Sequence, residues 1–153
     1  MGFADAVKSF YKRFFDFRGR SPRSEYWWAQ LFMWAVVIVL AGVSVSLAGG
    51  IEAFEAAMEG YEDMPAGMAA AFFLIGLFVL SCVIPALALT VRRFHDHDRS
   101  GWWYVLVFVL SMIPLLGLLV SLAFFVFLCL RGTIGSNRFG MDPLGPSAGT
   151  TFD

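Results

Sequence analysis

Charge is scarce in this chain of 153 residues: 15% of it is Asp, Glu, Lys or Arg, against 59% hydrophobic residues. A domain of this size has too little interior to hide that much apolar surface, so the composition excludes an ordinary water-soluble protein. The scarcity is also uneven, because residues 26–48, 66–91 and 102–130 contain no Asp, Glu, Lys, Arg or His at all. Transporters place their coupling groups at that depth, so this absence weakens a small-solute or ion transporter, or a transporter accessory subunit, which stays as an alternative. Cysteine is nearly missing, and Cys82 and Cys129 each sit inside an apolar run, which leaves no disulfide framework. The chain has no internal repeat and no low-complexity run, and Gly132 to Gly140 lacks the lysine and preceding strand of a phosphate-binding loop.

What the chain does have is three long apolar runs, and they define an all-α polytopic membrane bundle. The first, Tyr26 to Ala48, opens on Tyr26, Trp27 and Trp28, rings that favour the membrane interface, and is long enough to cross the roughly 30 Å hydrocarbon core. It exceeds the roughly 7–15 apolar residues of a cleaved leader, so it reads as a retained helix. The second, Ala66 to Val91, carries Pro85 near its far end, where a kink is expected. The third, Trp102 to Leu130, is 29 residues long, about 44 Å as one straight helix. Either it crosses once, kinked and tilted, or Pro114-Leu115-Leu116-Gly117 breaks it into a hairpin that returns to its starting side. The charge rule favours the hairpin, although twelve residues before Pro114 reach only about 18 Å. The expected helices are therefore 26–48, 67–91, 102–113 and 115–130 within a membrane domain of residues 25–131.

The flanks complete this reading. In residues 1–24, Phe3, Val7, Phe10, Phe14 and Phe17 recur at helical spacing with Lys8, Lys12, Arg13 and Asp16 opposite them. That helix either lies in the membrane interface or packs on the rest of the protein, and Gly19 and Pro22 end it. Between the first two runs, Ile51, Phe54, Met58 and Tyr61 alternate with Glu52, Glu55, Glu59 and Glu62 as a short amphipathic helix ended by Met64-Pro65. Residues 132–153, rich in Gly, Pro, Ser and Thr, form a tail whose last stretch is expected to be disordered. Lys and Arg precede the first run, are absent between the first and second, and return after the second, which places the N-terminus in the cytoplasm.

The chemistry-bearing residues gather at Arg92-Arg93-Phe94-His95-Asp96-His97-Asp98-Arg99-Ser100-Gly101-Trp102-Trp103. His95 and His97 interleaved with carboxylates suit a divalent metal in principle, yet residues i and i+2 of a helix point to different sides and the chain holds no other histidine. A solvated polar loop, with Asp96 and Asp98 paired to Arg92, Arg93 or Arg99, is the simpler reading. His95 as a general acid or base lacks a nucleophile; Ser100 reads as a turn residue and N-cap ahead of the third run. Trp102 and Trp103, like Trp27 and Trp28, serve as interface anchors. Glu25, at the membrane edge, needs a partner among Arg18, Arg20, Arg23, Arg92 and Arg93. No cofactor is implied, and the basic residues read as topology determinants rather than a nucleic-acid surface.

These residues also carry a family resemblance. Phe17-Arg18-Gly19-Arg20, Arg23, Glu25-Tyr26-Trp27, Arg92-Arg93-Phe94-His95-Asp96, Arg99-Ser100-Gly101-Trp102-Trp103, Pro114 with Gly117, and Asn137-Arg138-Phe139-Gly140 with Asp142-Pro143 follow one another as in the domain of unknown function 805 family. The resemblance runs from about Phe10 to Pro143 and implies a small multi-pass protein of the bacterial inner membrane, with no reaction attached. Two features depart from it: the family typically has a small or polar residue at the position of His97, and the acidic segment from Glu52 to Asp63 is longer than expected. If the third run is a hairpin, all four arginine-bearing motifs share one cytoplasmic face. There Arg18, Arg20, Arg92, Arg93, Arg99 and Arg138 either brace the bundle or bind an anionic lipid headgroup, a phosphate-bearing ligand or an acidic partner segment. A membrane-protein partner or a second copy of the chain is a further expected contact.

Overall fold

Two of the apolar runs become single long helices and the third does not. In the computed structural model, which describes residues 1–60 and 64–145, the order is α1 (Phe3–Lys12), α2 (Arg23–Ala48), α3 (Ile51–Met58), α4 (Ala66–Asp96), α5 (Trp102–Ser111) and α6 (Leu116–Cys129). Among the described residues there is no strand beyond an isolated bridge between Asn137 and Gly140. α2 and α4, of 26 and 31 residues, extend about 39 and 46 Å, more than a bilayer core requires. Only 11% and 22% of their most apolar stretches are buried. Core helices of a soluble protein would bury most of such surface, whereas helices that are apolar all round and largely uncovered belong in lipid. The molecule is an all-α membrane helical bundle.

The chain divides into two compact units. One consists of Gln30–Val83: the later part of α2, α3, and the earlier part of α4. It is held by apolar contact. Ala48, Ala57 and Met68 form a small core against which Phe54 and Phe72 pack, and Phe32 meets Phe78 edge to face with centroids 6.1 Å apart. Its hydroxyls satisfy themselves within their own helices: Ser44 donates to the Ala41 carbonyl at 2.7 Å and Ser81 to that of Phe78 at 2.7 Å. The amphipathic reading of the acidic segment is realised as α3, while its final members Tyr61, Glu62 and Asp63 lie outside the described residues.

The other unit consists of Met1–Ala29 with Ile84–Asp153. Here α1 packs through Ala6 and Phe10, both fully buried, and Phe3 meets Trp28 edge to face with centroids 5.8 Å apart. α1 is thus a helix packed on the protein, and it stops at Lys12 rather than continuing to Phe17. The Arg13 side chain ends it, donating from Nε to Asp16 at 2.8 Å and from Nη2 to the Arg18 carbonyl at 2.9 Å, which curls the chain back. α4 continues through Pro85 and five residues beyond the expected end at Val91, because Arg92, Arg93 and Asp96 are buried with partners rather than solvated. α2 likewise begins at Arg23, three residues before the run.

The third run is a hairpin. α5 and α6 pack against each other, joined by a turn through Pro114 and Leu115, whose φ is +66°. A Cβ on Gly117 would lie 2.2 Å from the Ser111 carbonyl oxygen, so only glycine permits this close a return. The helices cover 102–111 and 116–129, slightly shorter than expected, since proline and the turn consume the residues between. At α5's start Ser100 is not the cap: Gly101 holds that position without a side-chain cap bond, and the Ser100 hydroxyl accepts only a long 3.5 Å contact from the Trp102 N–H. After α6 the segment up to residue 145 is ordered by turns, with Asn137 and Gly140 exchanging backbone bonds of 3.0 and 3.1 Å. The expected disorder of the extreme tail concerns residues 146–153, outside the described residues.

Candidate functional site

The centre of the second unit is Asp96. Its carboxylate accepts from Arg20 Nε at 3.0 Å and from Arg93 Nη1 at 2.6 Å, with all three side chains almost fully buried. Each arginine then reaches past the carboxylate to backbone that a helix cannot satisfy. Arg93 Nη2 donates to the carbonyls of Leu128, at 3.0 Å, and Leu130, the orphan acceptors at the end of α6. A cation there also complements the negative end of that helix. Arg20 donates from Nη1 to the Gly135 carbonyl at 2.6 Å and from Nη2 to that of Thr133 at 2.5 Å. The Asp96 carbonyl in turn accepts the N–H of Thr133 at 2.8 Å and its hydroxyl at 3.0 Å. One carboxylate and two guanidinium groups thereby tie the end of α4, the segment before α2, the end of α6 and the tail.

A second buried pair lies beside it. Glu25 accepts the hydroxyls of Ser9 and Ser21, each at 2.6 Å, and Arg92 Nη2 stands 3.7 Å from its Oε1. Glu25 thus finds Arg92 from the expected set. The Arg92 guanidinium is completely buried and makes no hydrogen bond within the described residues, so Glu25 holds it by charge alone.

The remaining motif residues form a partly exposed margin. His95 stacks on Phe139 with centroids 3.9 Å apart and planes within 5°, and its Nδ1 lies 3.2 Å from the Gly19 carbonyl. Asn137 Nδ2 donates to the His95 carbonyl at 2.9 Å. Arg138 pairs with Asp98 at 3.2 Å, donates to its carbonyl at 2.7 Å and lies over Phe139 at 4.9 Å. Arg23 donates to the Cys129 carbonyl at 3.3 Å, and Trp27 packs edge to face on Phe125, centroids 5.5 Å apart. Tyr26 is buried and packs edge to face on Trp27.

The expected solvated loop is therefore corrected: Asp96 is buried and takes Arg20 and Arg93, Asp98 takes Arg138, and neither takes Arg92 or Arg99. His97 packs its ring against Phe127, centroids 4.3 Å apart, and burial together with the nearby Arg93 and Arg20 charges holds its pKa down to about 4. His95, Asp96 and His97 face three different sets of neighbours, and among the described residues no three His, Cys, Asp or Glu side chains are placed to hold one ion. Asp142, whose carboxylate accepts the N–H groups of Leu144 and Gly135, is pulled below the usual carboxylate range by those bonds.

Three motifs thus converge, Phe17-Arg18-Gly19-Arg20, Arg92 to Asp96, and Asn137 to Gly140. Arg18 stays at the exposed margin. Arg99-Ser100-Gly101-Trp102-Trp103 lies apart from the carboxylates: Gly101 fits against Val91, and Trp102 and Trp103 are exposed. Sequence reasoning missed Ser9, Ser21, Gly132 and Thr133. Gly132 is the telling one, since a Cβ there would stand 2.0 Å from Asp96 Oδ2. Its signal was a glycine directly after the basic end of an apolar run.

An all-helical bundle with lipid-facing flanks and a buried polar cluster defines an integral membrane protein. The comparisons with known proteins agree. The family model described as a protein of unknown function (DUF805) matches residues 14–141, and the chain belongs to this family. It is 37% identical over 132 residues to inner membrane protein YhaI of Escherichia coli K12, covering 86% of this chain and 89% of that protein. To inner membrane protein YhaH of the same strain it is 33% identical over 132 residues, covering 86% and 90%. No solved structure matches the chain.

Proposed function

We propose that this is a multi-pass protein of the bacterial cytoplasmic membrane in which Arg20, Arg93 and their shared Asp96 act as an internal lock rather than as a ligand-binding face. α2 and α4 each cross once, α5 and α6 enter and return, and both chain ends lie in the cytoplasm. The observation that carries the reading is the sharing of Asp96 by Arg20 and Arg93 while both guanidinium groups occupy carbonyls of the segment leaving α6. Both side chains are almost fully buried, with both Nη atoms of each bonded internally, which leaves little capacity for an external anion. A membrane gives a practical reason for such a lock. A hairpin too short to cross gains nothing from spanning and is kept in place by polar bonds at its base.

The experiment is a pair of reporters, one fused before Met1 and one after Leu144, each scored for cytoplasmic or periplasmic activity. Both are expected in the cytoplasm. A periplasmic reporter after Leu144 sinks the hairpin topology, and a periplasmic N-terminal reporter sinks the assigned orientation.

A further inference from the structure

We propose that the groove between α5 and α6 is a binding site for one anionic phospholipid, its acyl chain lying against the hairpin and its phosphate on Arg99. A cavity of about 370 Å³ opens there, walled by Phe94, Trp103, Val107, Val120 and Phe127, with Arg99 its one charged residue. Arg99 differs from the arginines of the lock. It is exposed, and among the described residues no ion pair or side-chain hydrogen bond engages it. A cation without an internal acceptor, at the end of an otherwise apolar groove, complements an amphiphile with an anionic head and a hydrocarbon tail.

The hairpin's length selects the source of that amphiphile. α5 has 10 residues and α6 has 14, about 15 and 21 Å against a core of roughly 30 Å, so neither spans it and the groove opens to the leaflet on its own side. Arg99 and Trp103 stand at the polar base, while Val107 and Val120 line the deeper part toward the Pro114 turn. That gradient runs as a phospholipid of the same leaflet runs, with tryptophan at headgroup level. A separate cavity at the end of α1 is lined by Asp16 as well as Lys12 and Arg18, so a carboxylate there competes with an incoming anion. The site assigned here rests on neither buried carboxylate, so it stands or falls apart from the lock.

The test uses the purified full chain, stripped of lipid and titrated with phosphatidylglycerol or phosphatidylcholine in detergent, with bound lipid counted by native mass spectrometry. One phosphatidylglycerol is expected to bind, and Arg99→Ala to weaken it about fivefold. Arg99→Lys should keep most of the affinity. Val120→Trp, which fills the groove, should remove binding of both lipids with Arg99 intact. Equal affinity for the two lipids together with no effect of Arg99→Ala means annular lipid only and overturns the proposal. Displacement of the lipid by millimolar inorganic phosphate overturns it as well, because the groove would then contribute nothing and the site would be for a free anion.

Discussion

The two units of this protein solve the same problem by opposite means. In residues 30–83 the polar groups of the membrane helices are satisfied locally, as with Ser44, Ser46 and Ser81 bonded to carbonyls three or four residues back, and what holds the helices is side-chain packing. In the unit of residues 1–29 and 84–153 the decisive bonds join residues far apart in sequence, such as Arg20 with Asp96 and Arg93 with Leu128. The first arrangement depends on volume and hydropathy and tolerates exchange. The second depends on particular atoms and does not.

That contrast is sharpest at Asp96. Asp96→Ala leaves two buried guanidinium groups without their anion, and is expected to cost about 3–5 kcal/mol and to release the tail, read by chemical denaturation in detergent and by protease sensitivity after Leu130. Unchanged stability would place the cluster among ornamental ion pairs. Next is Gly132→Ala, whose Cβ must displace a carboxylate pinned on two sides, for about 1–3 kcal/mol by the same measurement. Glu25→Gln keeps an acceptor for one of the Ser9 and Ser21 hydroxyls, turns the other oxygen into a donor NH2, and removes the carboxylate paired with Arg92. A loss of about 1–3 kcal/mol is expected.

The pH dependence follows from His97. Its folded-state pKa, about 4, lies below the ordinary 6.5. The unfolded chain therefore takes up the proton first, and stability present above about pH 6.5 declines as pH falls toward 4. His97→Phe should flatten that part of the stability curve, and a slope that persists assigns the proton elsewhere. The smallest effect belongs to residues 30–83, where the exposed Leu74 and Leu80 face outward. Leu74→Ile and Leu80→Ile should each change stability by less than about 1.5 kcal/mol. A larger loss at either position would break the distinction between the units.

How much of this was legible follows from the same contrast. Runs without charge revealed α2 and α4 because membrane helices are written in composition, while Pro114 with Gly117 offered the hairpin as one of two readings, favoured over a single kinked crossing only by the charge rule. The helix ends were less legible: Arg92 and Arg93 looked like the solvated end of a span, and only their burial extends α4 to Asp96. The partners were legible in kind but not in assignment. Glu25 was expected to need an arginine and finds Arg92, whereas Asp96 draws Arg20 from 76 residues away, a choice set by tertiary packing that no local spacing encodes. His97 reads as part of a solvated loop and a departure from the family pattern, whereas its ring packs on Phe127 of α6.

The central claim is that Arg20, Arg93 and Asp96 act as one lock, and a double-mutant cycle on Arg20 and Asp96 tests it most directly. Stabilities of the native chain, Arg20→Ala, Asp96→Ala and the double variant are measured in one detergent. A coupling of about 1.5–3 kcal/mol is predicted, with the double variant hardly worse than Asp96→Ala alone. Effects that simply add, within about 0.5 kcal/mol, would contradict the account.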